Sequence, residues 1–319
     1  AVFLPPNFDF YSEYSKKVRN FLNQVAPVVE QASIDEFYMD LTGCGRLYPD
    51  LTAFASLVKH YLRTELKLPS TIAIASNKLV SKIAVNEAKP DGLIQVEWGA
   101  EADFLRLLPV RAMPGIGKAT EREMNRLGLK TLRDIQTASE SLLQSQFGAW
   151  GLEFKKRAHG IDSSPVVSWE DPKSIGRETT FERDVGEPAY LLSVLSSFVE
   201  ECAAELRQYG FQARTVTVKF RLPDFTTFER SKTVEATCYE REIYQTAEKL
   251  FSINWKAGMK LRLLGMSVSN FLRSHQTQTL FPDPEHEKLE KLSKQIDAIR
   301  ARFGLGAIHI GSSLRAYDP

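Results

Sequence analysis

Two adjacent carboxylates, Asp35 and Glu36, stand inside the run Ala32-Ser33-Ile34-Asp35-Glu36-Phe37-Tyr38-Met39-Asp40-Leu41. Their neighbours Ile34, Phe37 and Tyr38 have strand character. Neighbouring acids on a buried strand repel each other and lose solvation. A divalent cation that prefers hard oxygen ligands, magnesium or manganese, offsets both costs. Strand alternation sends adjacent side chains to opposite faces, so the pair meets one ion only where the chain bends, as in a tight hairpin. The competing reading is a surface Asp-Glu pair in a turn, and the flanking residues weigh against it.

Other chemistry-bearing residues follow along the chain. Lys78 and Lys82 read as lysines on a solvated helix face. Lys89 differs, because it stands at a helix end in a turn set by Pro90 and Gly92, where it can reach a phosphate. Met113-Pro114-Gly115-Ile116-Gly117-Lys118, followed by Leu127-Gly128-Leu129-Lys130-Thr131-Leu132, has the form of a helix-hairpin-helix. Its glycines let backbone N–H groups point outward at a helix N-terminus, an anion site suited to a DNA phosphate, and Lys118 adds charge. Such a contact touches backbone and carries no sequence preference.

The segment Ala213 to Arg221 alternates, placing Lys219 and Arg221 on the face of Thr215 and Thr217. Lys173, Arg177, Arg230 and Lys232 are expected to extend this into a basic, hydroxyl-rich sheet face for nucleic acid. The amphipathic edge of a sheet is the alternative. Near the end, Gln276-Thr277-Gln278-Thr279-Leu280-Phe281 suits a short peptide that docks in a partner's hydrophobic pocket.

The elements that must position these residues are legible from periodicity. Apolar spacing predicts helices over 8–26, 51–66 and 77–88, with strands over 28–29, 34–41, 71–75 and 93–96. This describes an α+β layer, a mixed sheet with helices on one face, over 1–98. An all-helical unit carrying the helix-hairpin-helix occupies 99–162. A polar, proline-containing linker runs over 163–173. The order β-α-β-β-α-β over 174–273 is ferredoxin-like, and 274–319 forms a tail with a helix over 285–303.

Composition bounds the rest: the chain has 319 residues, 43% hydrophobic and 25% charged, and a net charge of +1. Two or three domains are expected at this length. No run approaches the roughly 18 to 20 apolar residues needed to cross a bilayer. Cys44, Cys202 and Cys238 lack zinc or redox spacing and read as reduced thiols of a cytosolic protein.

Taken together, the motifs carry a resemblance. Ser33 to Asp40 resembles the Ser-Ile-Asp-Glu motif of the Y-family, translesion DNA polymerases. Ala88-Lys89-Pro90-Asp91-Gly92, Met113-Pro114-Gly115-Ile116-Gly117 and Lys173-Ser174-Ile175-Gly176-Arg177-Glu178 look like that family's later palm, thumb and little-finger motifs, in order. The resemblance implies template-directed nucleotidyl transfer with two magnesium ions, or manganese. It assigns Asp35 and Glu36 to catalysis and metal binding, and Lys89 to the triphosphate. The amides of Gly115 and Gly117 would hold the primer strand, and Arg177, Lys219 and Arg221 would line the contact with template and duplex. It implies a cytoplasmic monomer without membrane association, with primer-template DNA, deoxynucleoside triphosphates and the sliding clamp as partners.

Gln276, Leu280 and Phe281 resemble the clamp-binding peptide, although the commoner form has Gln at the position of Thr277. The family opens with a strand bearing another metal-binding aspartate, then a steric-gate aromatic and a fingers domain. Residues 1–6 resemble the segment after the fingers, so a truncated chain with little activity of its own is expected. A catalytically inactive Y-family-like accessory protein that binds DNA and the clamp is the alternative. A metal-dependent nuclease is disfavoured by the ferredoxin-like region and tail.

Overall fold

Asn7 accepts a hydrogen bond from the Phe10 amide (3.1 Å) and starts helix α1 (Phe8–Val25), which Pro27 prevents from continuing. The computed structural model describes residues 2–273 and 284–317 and divides into two compact units, Ala1–Glu170 and Asp171–Pro319.

In the first unit, β1 (Val28–Gln31) pairs antiparallel with β2 (Phe37–Asp40), Gln31 opposite Phe37. The second strand begins at Phe37 rather than Ile34. The Ala32 and Ser33 amides both donate to the Glu36 carbonyl (2.9 and 3.3 Å), which closes the hairpin and takes residues 33–36 out of the ladder. Helix α2 (Leu51–Thr64), capped by Asp50, packs Phe54, Val58 and Leu62 against Leu22 and Val29.

Strand β3 (Ile72–Ile74) and β4 (Leu93–Gln95) are parallel and joined by α3 (Lys78–Ala88). The expected mixed character is present as one antiparallel and one parallel pair, and no described strand hydrogen-bonds to both.

Five helices follow: α4 (Glu101–Leu105), α5 (Lys118–Arg126), α6 (Leu132–Thr137), α7 (Glu140–Phe147) and α8 (Ala149–Ala158). Val80 and Ile83 of α3 share one core with Leu105, Met113, Met124, Leu132, Leu143 and Phe154. The helix that ends at Lys89 is therefore seated on the helical region that carries the glycine hairpin.

The second unit contains β5 (Ser174–Val185), α9 (Pro188–Gln208), β6 (Phe211–Arg221), β7 (Thr227–Thr237), α10 (Glu240–Asn254) and β8 (Leu261–Arg273). The sheet order is β5-β8-β6-β7 with every neighbour antiparallel, so β8 lies between the parallel strands β5 and β6 in a split β-α-β arrangement. Helices α9 and α10 cover one face, where Leu195, Val199, Ile243 and Phe251 meet Val216, Val218, Phe220, Met266 and Val268.

The described part of the tail is helix α11 (Pro284–Phe303), two short turns and α12 (Leu314–Tyr317). Its helix was expected, but its docking was not. Glu200 on α9, buried to 2% exposure, pairs with Arg300 and accepts from Ser313 Oγ and from the Ile310 amide (3.1 Å). Arg207, also on α9, holds Asp297 through two bonds of 2.7 and 2.8 Å.

Candidate active site and nucleic-acid surfaces

Asp35 and Glu36 sit at the tip of the β1–β2 hairpin, which supplies the bend that alternation demanded. Ser33 Oγ donates to Asp35 Oδ1 (2.6 Å) and accepts from the Asp35 amide (3.3 Å), so the carboxylate is oriented by its own turn. Asp35 is exposed, and Glu36 is half-buried against Lys82 Nζ on α3. The nearby acids have other duties. Asp40 accepts from the Thr42 amide (2.8 Å), and the Thr42 side chain and amide hold its carboxyl below the usual aspartate range. Glu30 is bonded by Lys78 at 2.6 and 2.7 Å.

No group of three His, Cys, Asp or Glu side chains among the described residues is placed to share an ion. At the hairpin tip the carboxylates are Asp35 and Glu36, a pair of hard oxygen donors. It fits magnesium, which is commonly held by one or two carboxylates with water and substrate phosphates completing the shell.

Lys78 and Lys82 are not the solvated lysines expected from the sequence. One turn apart on α3, they pair with Glu30 and Glu36 and so face the hairpin from the same side. Their spacing was visible, but the partners lie 48 and 46 residues away. No local pattern identifies them.

Lys89 caps the C-terminal end of α3 and is exposed, with a cis peptide leading to Pro90. Gly92 is required because a Cβ there would strike the Ala88 carbonyl. The turn is tied down through Asp91, which pairs with Lys59 (2.9 Å) and Arg63 on α2, while Lys59 also donates to the Ser70 carbonyl. Burial lowers the Lys59 pKa, with Arg63 adding to the effect. Replacing Asp91 with alanine should loosen the presentation of Lys89. We expect the KM for nucleotide to rise about fivefold, the equivalent of about 1 kcal/mol, with kcat changed less. Steady-state single-nucleotide insertion measures this, and an unchanged KM would sever Lys89 from the triphosphate.

In the helical region, Gly115 adopts φ +95°, a conformation that favours glycine. Gly117 is the N-cap of α5, and no side chain caps that helix end. Gly115, Gly117 and Lys118 are all exposed, whereas Ile116 between them is buried and anchors the loop. The second glycine segment closes behind it, where the Val110 amide donates to the Lys130 carbonyl (3.0 Å) and the Leu132 amide to that of Leu108 (2.9 Å). The N-terminus of α5 is thus left without a side-chain cap beside an exposed lysine, the arrangement that a backbone anion site requires.

The little sheet separates the six basic candidates. Lys219 and Arg221 lie on the face opposite the helices, as expected. Around them the register gathers hydroxyls in two rows, Ser174–Ser269–Thr215–Thr233 and Gly176–Ser267–Thr217–Ser231. Lys219 crosses over Gly265 to Glu178 (2.8 Å), and Arg221 donates to Thr227 Oγ1 (2.8 Å). Lys173 is exposed just before β5.

Arg177, Arg230 and Lys232 do not extend that face. Arg177 stands opposite Met266 on the helix-covered side and pairs with Glu201 (2.7 Å) and Glu205 (2.9 Å) of α9. Arg230 and Lys232 stand opposite Val218 and Val216, and Arg230 reaches Asn254 of α10 (3.1 Å). The signal was present: Arg177 shares parity with Ile175 and Phe181, and Arg230 and Lys232 share it with Phe228 and Val234. Gln276, Leu280 and Phe281 lie outside the described residues.

Comparison with known proteins agrees with this layout. A model described as the impB/mucB/samB family matches residues 1–86, and that family's C-terminal-domain model matches 172–280. A model described as the DNA polymerase-iota thumb domain matches 111–162, the region of the glycine hairpin. The chain belongs to the Y-family of DNA polymerases.

Within that class it is 37% identical over 320 residues to DNA polymerase IV of Dehalococcoides mccartyi strain CBDB1, covering 100% of this chain and 82% of that protein. It is 32% identical over 318 residues to DNA polymerase IV of Caulobacter vibrioides, covering 99% of this chain and 78% of that protein. The Y-family DNA polymerase chimera Dbh-Dpo4(243-245)-Dbh has a TM-score of 0.75 at 26% identity, covering 85% of this chain and 79% of that one. DinB from Sulfolobus solfataricus has a TM-score of 0.55 at 26% identity, covering 86% and 80%.

Proposed function

We infer that the chain acts in template-directed DNA synthesis of the translesion type, extending a primer with deoxynucleoside triphosphates by two-metal nucleotidyl transfer. The observation that carries this reading is the acidic hairpin tip. Asp35 and Glu36 stand side by side in a closed turn, Asp35 exposed and oriented by Ser33 and Glu36 paired with Lys82. Asp40 and Glu30, by contrast, lie within the strands and are bonded there to Thr42 and Lys78. Bound magnesium, or manganese, supplies Lewis acidity toward the primer 3′-hydroxyl and the phosphate oxygens. Asp35 and Glu36 hold it. Lys89 contacts the incoming triphosphate, the amides at Gly115 and Gly117 with Lys118 grip a backbone phosphate, and Lys219 and Arg221 meet the duplex beside the hydroxyl rows. Lys173, exposed before β5, adds to that contact.

Family likeness supports primer-template DNA and nucleotides as partners: relatives of known structure include a Dbh ternary complex and a Dbh insertion ternary complex. Gln276, Leu280 and Phe281 are proposed to engage the sliding clamp, with the protein working as a cytoplasmic monomer. Among the described residues no helix is long and apolar enough to cross a membrane.

A phosphate-tracking surface predicts DNA affinity that falls steeply with salt. Six or more phosphate contacts correspond to a loss of about 10³-fold between roughly 50 and 200 mM salt. Changing Lys219 and Arg221 together to glutamine should reduce the log–log slope by about 2. Fluorescence anisotropy on primer-template DNA reads both, and a flat salt dependence refutes the assignment.

A further inference from the structure

The linker after the helical region is not a plain tether over its first half. Asn77 and the start of α3 receive it: Asn77 Nδ2 donates to the Gly160 carbonyl (2.7 Å), and Asp162 Oδ2 accepts from the Leu79 amide (3.2 Å). That carboxylate stands at a helix N-terminus, where the peptide dipoles favour negative charge. Asn77 Oδ1 caps the same end by accepting from the Val80 amide (3.0 Å). Gly160, at φ +76°, comes so close to Glu101 and Val80 that a Cβ would not fit without a shift.

Further along, Glu30 of β1 accepts from the Val167 amide (2.9 Å) with the same Oε2 that Lys78 binds at 2.7 Å. Lys78 Nζ completes the arrangement by donating to the Pro165 carbonyl (3.2 Å) and lying 5.2 Å from the centre of the Tyr38 ring. Tyr38 is the cross-strand partner of Glu30. On the other side, Asp171 pairs with Arg273 at the end of β8 (2.5 Å), within the second unit.

We propose that Glu30 and Lys78 are positioning residues that clasp the linker to the catalytic hairpin, confining the pivot between the two units to the segment between Val167 and Asp171. This rests on the DNA-polymerase reading in one respect: both units must engage the same duplex for the pivot's length to matter. Two linked binding units reinforce each other through effective concentration, which falls roughly as the −3/2 power of tether length once the linker spans the sites. Opening the Glu30 clasp, which also releases the Lys78 ammonium that Glu30 holds beside the Pro165 carbonyl, frees the chain back to Asp162. The tether then lengthens from about four residues to about nine, a fall in effective concentration of about threefold.

Neither Glu30 nor Lys78 touches the reacting atoms in this scheme.

The test uses the polymerase with Glu30→Ala, Lys78→Met and Lys78→Arg, with hydrogen exchange and primer-template affinity measured on each. In Glu30→Ala the Val167 amide should exchange at least about tenfold faster while amides of α3 keep their protection, and DNA affinity should fall about threefold. Lys78→Met should shift affinity in the same direction, and Lys78→Arg should restore it. If the Val167 amide stays protected without Glu30, or if affinity does not move, the clasp does not position the linker. Failure of the unaltered protein to bind primer-template DNA would instead count against the polymerase reading, and the exchange result would still judge the clasp by itself.

Discussion

In a full-length chain, replacing Asp35 with alanine is expected to reduce primer extension by at least about 10³-fold while leaving DNA affinity within about twofold. A metal that activates the primer hydroxyl is worth several kcal/mol at the transition state, and each 1.36 kcal/mol is about a factor of ten. Asp35 is exposed at a hairpin tip, and among the described residues its hydrogen bonds are to Ser33. Its removal should therefore cost less than about 0.5 kcal/mol of stability. Asp40→Ala provides the contrast, because Asp40 serves the Thr42 turn and should affect folding more than chemistry. Gel-based extension with both variants decides the matter. If Asp35→Ala retains extension within tenfold of the parent, the hairpin tip is not the metal site.

The second large effect lies far from the chemistry. Glu200→Ala should lower the stability of the second unit by about 3 to 5 kcal/mol, the cost of leaving a buried charge without its partner. Arg300 is only 5% exposed in its side chain, and Glu200 also accepts from Ser313 and the Ile310 amide. Removing the carboxylate would deprive three donors of their acceptor at once and loosen the tail on α9, where Arg207 still holds Asp297. Changing Arg300 to methionine in the same background should recover part of the loss, because an apolar pair can replace a buried ion pair at little cost. Urea denaturation followed by fluorescence reads both variants. A loss below about 1 kcal/mol for Glu200→Ala would show that the docked tail contributes little to this unit.

Cys202 and Cys238 illustrate a smaller point about burial. Desolvation pushes the Cys202 thiol up to about 12 and that of Cys238 to about 11, against opposing pulls from Arg177 and Arg207. A thiol raised in this way stays protonated at neutral pH, and the thiolate is the reactive form.

Much of this protein is settled by local chemistry, and the sequence by itself determined it. Apolar spacing defines α1, α2 and α3, because a helix must turn one stripe toward a core. Asn7, Asp50 and Asn77 mark helix starts, since each can satisfy an otherwise unpaired amide. Gly115 and Gly117 define the outward-facing loop, and strand alternation alone requires a bend if Asp35 and Glu36 are to meet one ion. These features depend on residues within a few positions of one another.

What only the tertiary structure decided is non-local. Strand parity already puts Arg177, Arg230 and Lys232 on the helix-covered side, but the partners that Arg177 and Arg230 take there, Glu201, Glu205 and Asn254, are set by how α9 and α10 pack on the sheet. The partners of Lys78 and Lys82 are fixed by how α3 packs beside the hairpin. Glu200 meets Arg300 across 100 residues, and the linker meets Glu30 across 137. A charged side chain in a sequence announces that it needs a partner or water. Only the fold specifies which it gets, because distance in space, not along the chain, sets the energy.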